Sequence, residues 1–153
     1  MDLMKLINPD VCCVPLQSAE RAGIIRELVA HLGSIGKVDD VDAITEIVWE
    51  REMQRTTGIG EGLAVPHGRC PKLKKLVLAM GIPSQPVDFQ SYDRKPVEFV
   101  VLVLSPADAI TDHVQVLGAV SRLMGDRGFR KQAIAADSAE TLSGLFLESL
   151  SKL

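Results

Sequence analysis

Residues 57–68 read TGIGEGLAVPHG, and this stretch decides how the middle of the chain folds. Its first three glycines permit positive φ and close approach of the backbone, so they predict a turn whose amides can reach an anion. The segment 63–65 is predicted to be a short strand, because Pro66 cannot donate to a β-ladder and keeps the preceding residue extended. His67 is therefore expected at a strand end beside flexible backbone, a place suited to a nucleophile or a ligand.

The bulk composition is that of one folded domain spanning residues 1–153. Apolar residues make up 46% of the chain and charged residues 24%, which is enough for one substantial core and argues against disorder. The net charge of −3 makes nucleic acid a poor partner. No apolar run approaches the roughly 20 residues of a membrane span, and residues 1–15 lack the pattern of a secretory signal. Three cysteines without a framework spacing fit a reducing compartment, so we expect a cytoplasmic protein with no direct membrane insertion.

Helical periodicity appears on both sides of the glycine-rich stretch. The first predicted helix ends near Gly33 or Gly36, and the third is expected to turn Val114, Leu117, Val120 and Met124 inward. A short helix is expected over 129–135. Ser18 is the predicted N-cap of the first helix, Asp39 and Asp40 open the second, Thr111 or Asp112 caps the third, and Ser138 opens the last.

Two longer apolar runs follow the glycine-rich stretch, over 76–80 and 99–104. Continuous apolar runs of this length are typical of strands that are covered on both faces, hence of a sheet between helices. Val87 and Phe89 are expected to add a weaker edge strand. The predicted fold class is α/β, with a mixed β-sheet of about five strands sandwiched between helices in a single domain. The strand order stays open.

Three side chains are candidates for a site that holds an anion. His67 is joined by His113, in the first turn of the third predicted helix, where unpaired N–H groups and the helix dipole favour negative charge. Arg51 ends the second predicted helix, and its guanidinium is a planar fork of donors suited to a phosphoryl group. Arg55, one turn later, is the competing cation. His31 is expected to be a partly exposed helix residue with no part in the site.

Two motifs in the chain resemble a known family. Arg51-Glu52 with residues 56–68, TTGIGEGLAVPHG, resembles the active-site signature of the enzyme IIA domains of the bacterial sugar phosphotransferase system. The likeness is to the fructose/mannitol class, which includes the nitrogen-regulatory IIA proteins. Residues 106–117, PADAITDHVQVL, resemble the second histidine motif of that family, and the order of helices and strands agrees over nearly the whole chain. Glu61 departs from the pattern, where asparagine, aspartate or another small polar residue is expected.

The resemblance implies a phosphotransferase component that works as a phosphohistidine carrier. His67 would accept a phosphoryl group through Nε2 from an HPr-like carrier protein and pass it to a IIB protein. His113 would hydrogen-bond that group, and Arg51 would neutralise its charge. The alternative is a purely regulatory IIA protein that docks partners according to its phosphorylation, an interpretation favoured modestly by the absence of fused IIB or IIC segments. No cofactor and no metal is implied in either case.

A different class of function stays open on the residues alone. His67 and Cys70 could form half of a zinc site with His113 as a third ligand, which would indicate a metal-dependent hydrolase. The cysteines show no paired spacing, however, and a cysteine is often simply a small buried apolar residue.

Overall fold

The computed structural model describes residues 2–152, and within them the chain forms one six-stranded mixed sheet and five α-helices. The strands are β1 (Cys12–Leu16), β2 (Gly58–Gly60), β3 (Leu63–Ala64), β4 (His67–Arg69), β5 (Val77–Pro83) and β6 (Phe99–Ser105). The helices are α1 (Arg21–Ser34), α2 (Val41–Gln54), α3 (Ile110–Gly125), α4 (Arg127–Ile134) and α5 (Ala139–Ser151). Two 3₁₀ turns, Leu3–Leu6 and Pro9–Val11, precede β1.

Strand β6 is the centre of the sheet, whose order is β1-β5-β6-β3-β2. Strand β5 runs antiparallel to β6 along one edge, while β3 and β4 both run parallel to β6 along the other. Pro66 lies in the gap between β3 and β4, and its carbonyl accepts a hydrogen bond from Val103 N–H at 3.0 Å. The proline therefore interrupts this edge without breaking its contact with β6.

All seven residues of β6 are buried, so helices must cover both faces of the sheet. Helix α1 packs on β5 and α2, helix α2 on β4, helix α3 beside β6, and helix α5 against β1. Phe146 of α5 stacks on Phe99 of β6 at 5.7 Å between ring centroids, and Phe129 of α4 meets Phe146 edge-on at 5.0 Å. Burying each such ring stabilises the fold by about 1.5–3 kcal/mol. The prediction of an α/β sandwich is confirmed.

The predicted helix starts divide into two kinds. Asp40 and Ser138 are the N-caps of α2 and α5, and their side chains accept the backbone N–H of Ala43 and of Thr141, each at 3.1 Å. Ser18 is not a cap, because its hydroxyl bonds the backbone of Glu20, which is itself the N-cap of α1. The prediction of Thr111 or Asp112 is also wrong, since α3 begins at Ile110 after Ala109.

The inward face of α3 differs from the predicted one at its first turn. Val114 is 62% exposed, and Val116 is buried in its place. The buried stripe runs through His113, Val116 and Val120 at helical spacing, so it begins with the imidazole and not with a valine. The sequence interpretation chose the aliphatic neighbour because histidine is a weaker core residue.

The strand predictions missed three short strands. Strand β1 spans Cys12–Leu16 and includes Pro15. Residues Gly58–Gly60 of the glycine-rich segment form β2, which pairs antiparallel with β3, and His67 begins β4 instead of closing a strand. The edge strand expected at Val87 and Phe89 is only a single bridge between Val87 and Val97. Strands of two or three residues depend on partners distant in sequence, which local periodicity does not reveal.

Candidate functional site

The hydrogen bond of His67 to the backbone leaves its second ring nitrogen with a free lone pair. Nδ1 of the imidazole lies 2.7 Å from the carbonyl oxygen of Val65. A carbonyl can only accept, so Nδ1 carries the hydrogen and Nε2 of the neutral ring has the unshared pair. Burial lowers the pKa of His67 below its usual value of 6.5, and the positive charge of Arg51 acts in the same direction against the Val65 hydrogen bond. The imidazole is therefore neutral at pH 7 and has an unshared pair on Nε2.

Strand β4 brings His67 close to the end of α2. The strand pairs with β6 so that His67 lies opposite Val103. A Cβ atom at Gly68 would lie 3.0 Å from Cγ2 of Ile47 in α2, tighter than an ordinary contact. Glycine at this position thus lets helix and strand approach closely, and Arg51 follows Ile47 by one helical turn.

His113 faces His67 from the start of α3. The two ring centroids are 5.1 Å apart in an edge-on arrangement, and His113 is buried. Burial, followed by the positive charges that His67, Arg69 and Arg51 can carry, lowers the pKa of His113 to about 4. Both imidazoles are consequently neutral at pH 7.

Ser105 fixes the orientation of the His113 ring. Its hydroxyl oxygen lies 2.7 Å from Nδ1 of His113, and both residues are buried. When the hydroxyl donates to Nδ1, the single hydrogen of the neutral ring is on Nε2, where it can be donated to an anion. Ser105 ends β6 and His113 follows in α3, so strand and helix together place this donor.

Of the two arginines predicted as candidates, Arg51 lines the cleft and Arg55 does not. A cleft of about 430 Å³ is lined by Arg51, His67 and His113, together with Arg69. The Arg51 guanidinium is steadied by donating from Nη1 to the backbone carbonyl of Arg55 at 3.0 Å. The exposed side chain of Arg55 is absent from the cleft wall, so the geometry favours Arg51 over Arg55 as the cation beside His67.

Arg69 is a site residue that the sequence interpretation missed. It follows His67 by two positions in β4, and residues at that spacing share one face of a strand. Its guanidinium is exposed and adds a second permanent positive charge to the cleft. The i, i+2 spacing from the histidine was the available signal, but it requires knowing that the residues after Pro66 are extended.

Glu52 ties the end of α2 to the glycine-rich segment. This carboxylate is 2% exposed and accepts from the backbone N–H of Thr57 at 2.8 Å and from its hydroxyl at 2.6 Å. Arg21 of α1 supplies the balancing charge, with Nη1 at 3.7 Å. A buried carboxylate is tolerated only when it is paired and hydrogen-bonded in this way. Glu52 belongs to the family-like motif, and its place is structural.

The glycine amides do not form part of the cleft, which corrects the prediction that they would reach an anion there. Gly58 is in β2, while Gly60 and Gly62 have positive φ of 101° and 77° and form the turn into β3. The glycine on the cleft wall is Gly68. The run turns the chain sharply, and the polar groups that line the cleft belong to side chains outside it or at its end, such as Arg51, His113 and His67.

Glu61 points away from the cleft, so its departure from the family pattern does not place a carboxylate beside His67. Its side chain is 68% exposed and meets Arg130 of α4, with Oε2 at 3.3 Å from Nη2. An exposed pair of this kind contributes little to stability.

The metal-centre alternative has no support in the described part of the chain. Among residues 2–152, no three His, Cys, Asp or Glu side chains come together in a way that could hold a metal ion. Cys70 is buried, which raises the pKa of its thiol and disfavours the thiolate that zinc requires. His31 also lies outside the cleft, with its ring nitrogen against the carbonyl of Asp10.

Taken together, the groups that line the cleft have the chemical character that suits an anionic electrophile. One neutral imidazole offers a lone pair, a second can donate a hydrogen bond, and two guanidinium groups supply charge. This combination suits phosphoryl transfer, because positioning and charge stabilisation supply most of the catalysis of that reaction.

No helix within residues 2–152 is long and apolar enough to cross a membrane.

Comparison with known proteins gives one family. The family model described as phosphoenolpyruvate-dependent sugar phosphotransferase system, EIIA 2, matches residues 5–149. A nitrogen regulatory protein of Bradyrhizobium diazoefficiens is 31% identical over 142 residues, which are 93% of this chain and 92% of that protein. A fructose-specific EIIA component of Haloferax volcanii is 32% identical over 130 residues, 85% and 84% of the two chains.

The fold agrees with a solved structure of the same kind. The crystal structure of the nitrogen regulatory protein IIA-Ntr from Neisseria meningitidis superimposes with a TM-score of 0.87. The alignment covers 94% of this chain and 98% of that one at 23% sequence identity. The mixed sheet with its flanking helices is thus shared in full.

The lowered pKa of His113 predicts a specific dependence of stability on pH. The unfolded chain binds a proton near pH 6.5 and the folded chain only near 4, so acidification between those values favours unfolding. We expect the free energy of unfolding to fall by about 2–3 kcal/mol more in the wild type than in His113→Gln between pH 7 and pH 4. Urea titrations across that range measure the difference, and parallel curves for the two proteins would contradict the assignment.

Proposed function

The chain belongs to the EIIA 2 family of the phosphoenolpyruvate-dependent sugar phosphotransferase system, and from that membership we propose that His67 is its phosphorylated residue. The family's members are phosphotransfer components, and this chain shares their whole fold. The observation that carries the proposal is the free Nε2 of His67 in a cleft whose other polar groups suit an anion. The protein is thus a phosphohistidine carrier and, in the finer sense, a phosphotransferase.

The proposed transfer step balances with the groups at hand. The lone pair of His67 Nε2 attacks the phosphorus of a phosphohistidine on the donor protein. A new N–P bond forms while the donor's N–P bond breaks, and its electron pair returns to the donor imidazole. The hydrogen on Nδ1 stays with the ring, and the Val65 carbonyl stabilises the positive charge that the ring acquires. No proton leaves His67 and no metal takes part in these steps.

The surrounding side chains act on the charge of the transferring group. Arg51 and Arg69 offset the negative oxygens, and Nε2–H of His113 donates to one of them. Arg51 is held by the backbone carbonyl of Arg55, and His113 is held by the hydroxyl of Ser105. Because both groups are in place before the donor arrives, little reorganisation is needed during transfer.

The proposed partners are two proteins of the relay. An HPr-like phosphocarrier protein would supply the phosphoryl group, and a IIB protein or a regulated protein would respond to it. The similarities to a nitrogen regulatory protein and to a fructose-specific component are nearly equal, at 31% and 32% identity. Transfer of the phosphoryl group from this protein to a IIB protein would indicate the transport branch, and absence of such transfer would indicate the regulatory branch. We place the relay in the cytoplasm, where the three free thiols would persist.

The phosphorylation itself is tested by intact-mass measurement after incubation with phosphoenolpyruvate, enzyme I and an HPr-like protein. We expect the mass of one phosphoryl group, lost on mild acid treatment, in the wild type and in His31→Ala. His67→Ala should gain nothing. His31→Ala is the matched control because that imidazole lies in α1 outside the cleft. The proposal would be contradicted if His67→Ala gained the mass of a phosphoryl group. It would also be contradicted if the wild type gained no mass while a functioning IIA protein, treated in the same way, did.

The roles of the cleft residues predict a graded loss of rate. Arg51→Ala and His113→Ala should each slow phosphorylation by about 10²–10³-fold while the proteins stay folded by circular dichroism. Arg55→Ala is the control, because it removes a guanidinium outside the cleft yet keeps the backbone carbonyl that holds Arg51. Rapid-quench kinetics gives the rates, and a slowed Arg55→Ala with an unaffected Arg51→Ala would reverse the assignment.

A further inference from the structure

A second cavity, larger than the cleft, lies between the start of α2 and the segment 70–78 that leads into β5. Its volume is about 950 Å³, within the range of sites for small molecules. Its apolar floor is formed by half-buried aliphatic side chains: Leu6, Ile47, Leu73 and Val77. Five further aliphatic residues of its lining are at most 8% exposed: Val11, Val38, Ile44, Leu76 and Leu78. Among the side chains of residues 2–152 that line it, none is aromatic. We call this cavity the aliphatic groove.

The rim of the aliphatic groove is strongly basic. Five lysines line it: Lys5, Lys37, Lys72, Lys74 and Lys75. Within residues 2–152, none of these ammonium groups has a carboxylate oxygen within 4 Å, since the salt bridges there join other residues. The rim therefore holds positive charge that no neighbouring side chain pairs directly.

Three aspartates also line the groove, but two of them are already engaged. Asp2 accepts the backbone N–H of Met4 at 3.0 Å, and Asp40 accepts that of Ala43 at 3.1 Å. Five lysines against three aspartates leave the rim with an excess of two positive charges. An anionic group is the complement of such a rim.

We infer that the aliphatic groove binds an amphipathic carboxylate with an unbranched hydrocarbon chain, that is, a fatty acid. The chain would lie on the half-buried aliphatic floor, and the carboxylate would meet the lysines at the rim. A nucleotide fits less well because the floor offers no aromatic face for stacking a base. A sugar fits less well because its hydroxyls would lose water to a surface of Val, Ile and Leu.

The aliphatic groove adjoins the phosphoryl cleft without being part of it. Ile47 lines both cavities, and Cys70, on the groove wall, follows His67 by three residues. A ligand in the groove would thus lie one side chain away from the β4 segment that carries His67. Binding in the groove requires none of the cleft chemistry, so the inference stands apart from the proposed function.

The test measures binding of dodecanoate to the full chain by isothermal titration calorimetry, at concentrations below those at which the probe forms micelles. We expect saturable binding at one site, weakened by added salt, with methyl NMR shifts confined to groove residues such as Leu73 and Val77. Dodecyltrimethylammonium, which has the same chain and the opposite charge, should bind at least tenfold more weakly because it meets the lysines. Equal binding of both probes would indicate detergent-like association and overturn the inference.

Two matched pairs of variants locate the site. Ala43→Trp fills the groove from an exposed helix position and should weaken binding at least tenfold, while Ala30→Trp, exposed on α1, should change it less than twofold. Binding should weaken about tenfold in the triple variant Lys72→Gln, Lys74→Gln, Lys75→Gln. It should not weaken in this way when the exposed lysines outside the groove are changed to Gln: Lys95, Lys131 and Lys152.

Absence of saturable binding, or indifference to Ala43→Trp, would overturn the inference. Sedimentation of the ligand-free protein tests whether a second copy of the chain occupies the groove. A dimer that Ala43→Trp dissociates would show that a second copy of the chain fills the groove instead.

Discussion

The parallel pairing of β4 with β6 is the constraint on which the site depends. Strand β6 ends at Ser105, and the chain then turns into α3, whose first turn carries His113. Because β4 lies beside the last residues of β6, His67 is held next to that same turn. The two imidazoles meet as a consequence of strand register, although they are distant in sequence. A slip of one residue in this pairing would turn His67 to the other face of the sheet.

The site gathers positive charge around two neutral rings. Arg51 and Arg69 are permanently charged, and their presence together with burial holds the pKa values of His67 and His113 below the usual range. In the proposed function, a phosphoryl dianion on His67 would meet this positive charge, and the cations and donors of the cleft would each gain a partner.

The parts of the molecule that could be predicted from sequence are those with local signals. Six of the seven buried residues of β6 form an apolar run that is visible in the sequence, and the caps Asp40 and Ser138 follow from side-chain chemistry. The short strands and the place of Arg69 depend on pairing between distant segments, which leaves no periodic trace. His113 was identified from its motif, yet its burial and its bond to Ser105 were not. Polar residues in a core are stabilised by specific partners, and those partners are visible only in three dimensions.

The most direct test concerns the tautomer of His67 at neutral pH. Long-range ¹H–¹⁵N NMR distinguishes a ring nitrogen that carries hydrogen from one with a free lone pair. The hydrogen bond to Val65 requires hydrogen on Nδ1 and a bare Nε2, and phosphorylation should then couple phosphorus to Nε2 alone. A bare Nδ1, or phosphorus attached there, would contradict the claim that this backbone carbonyl directs the nucleophile.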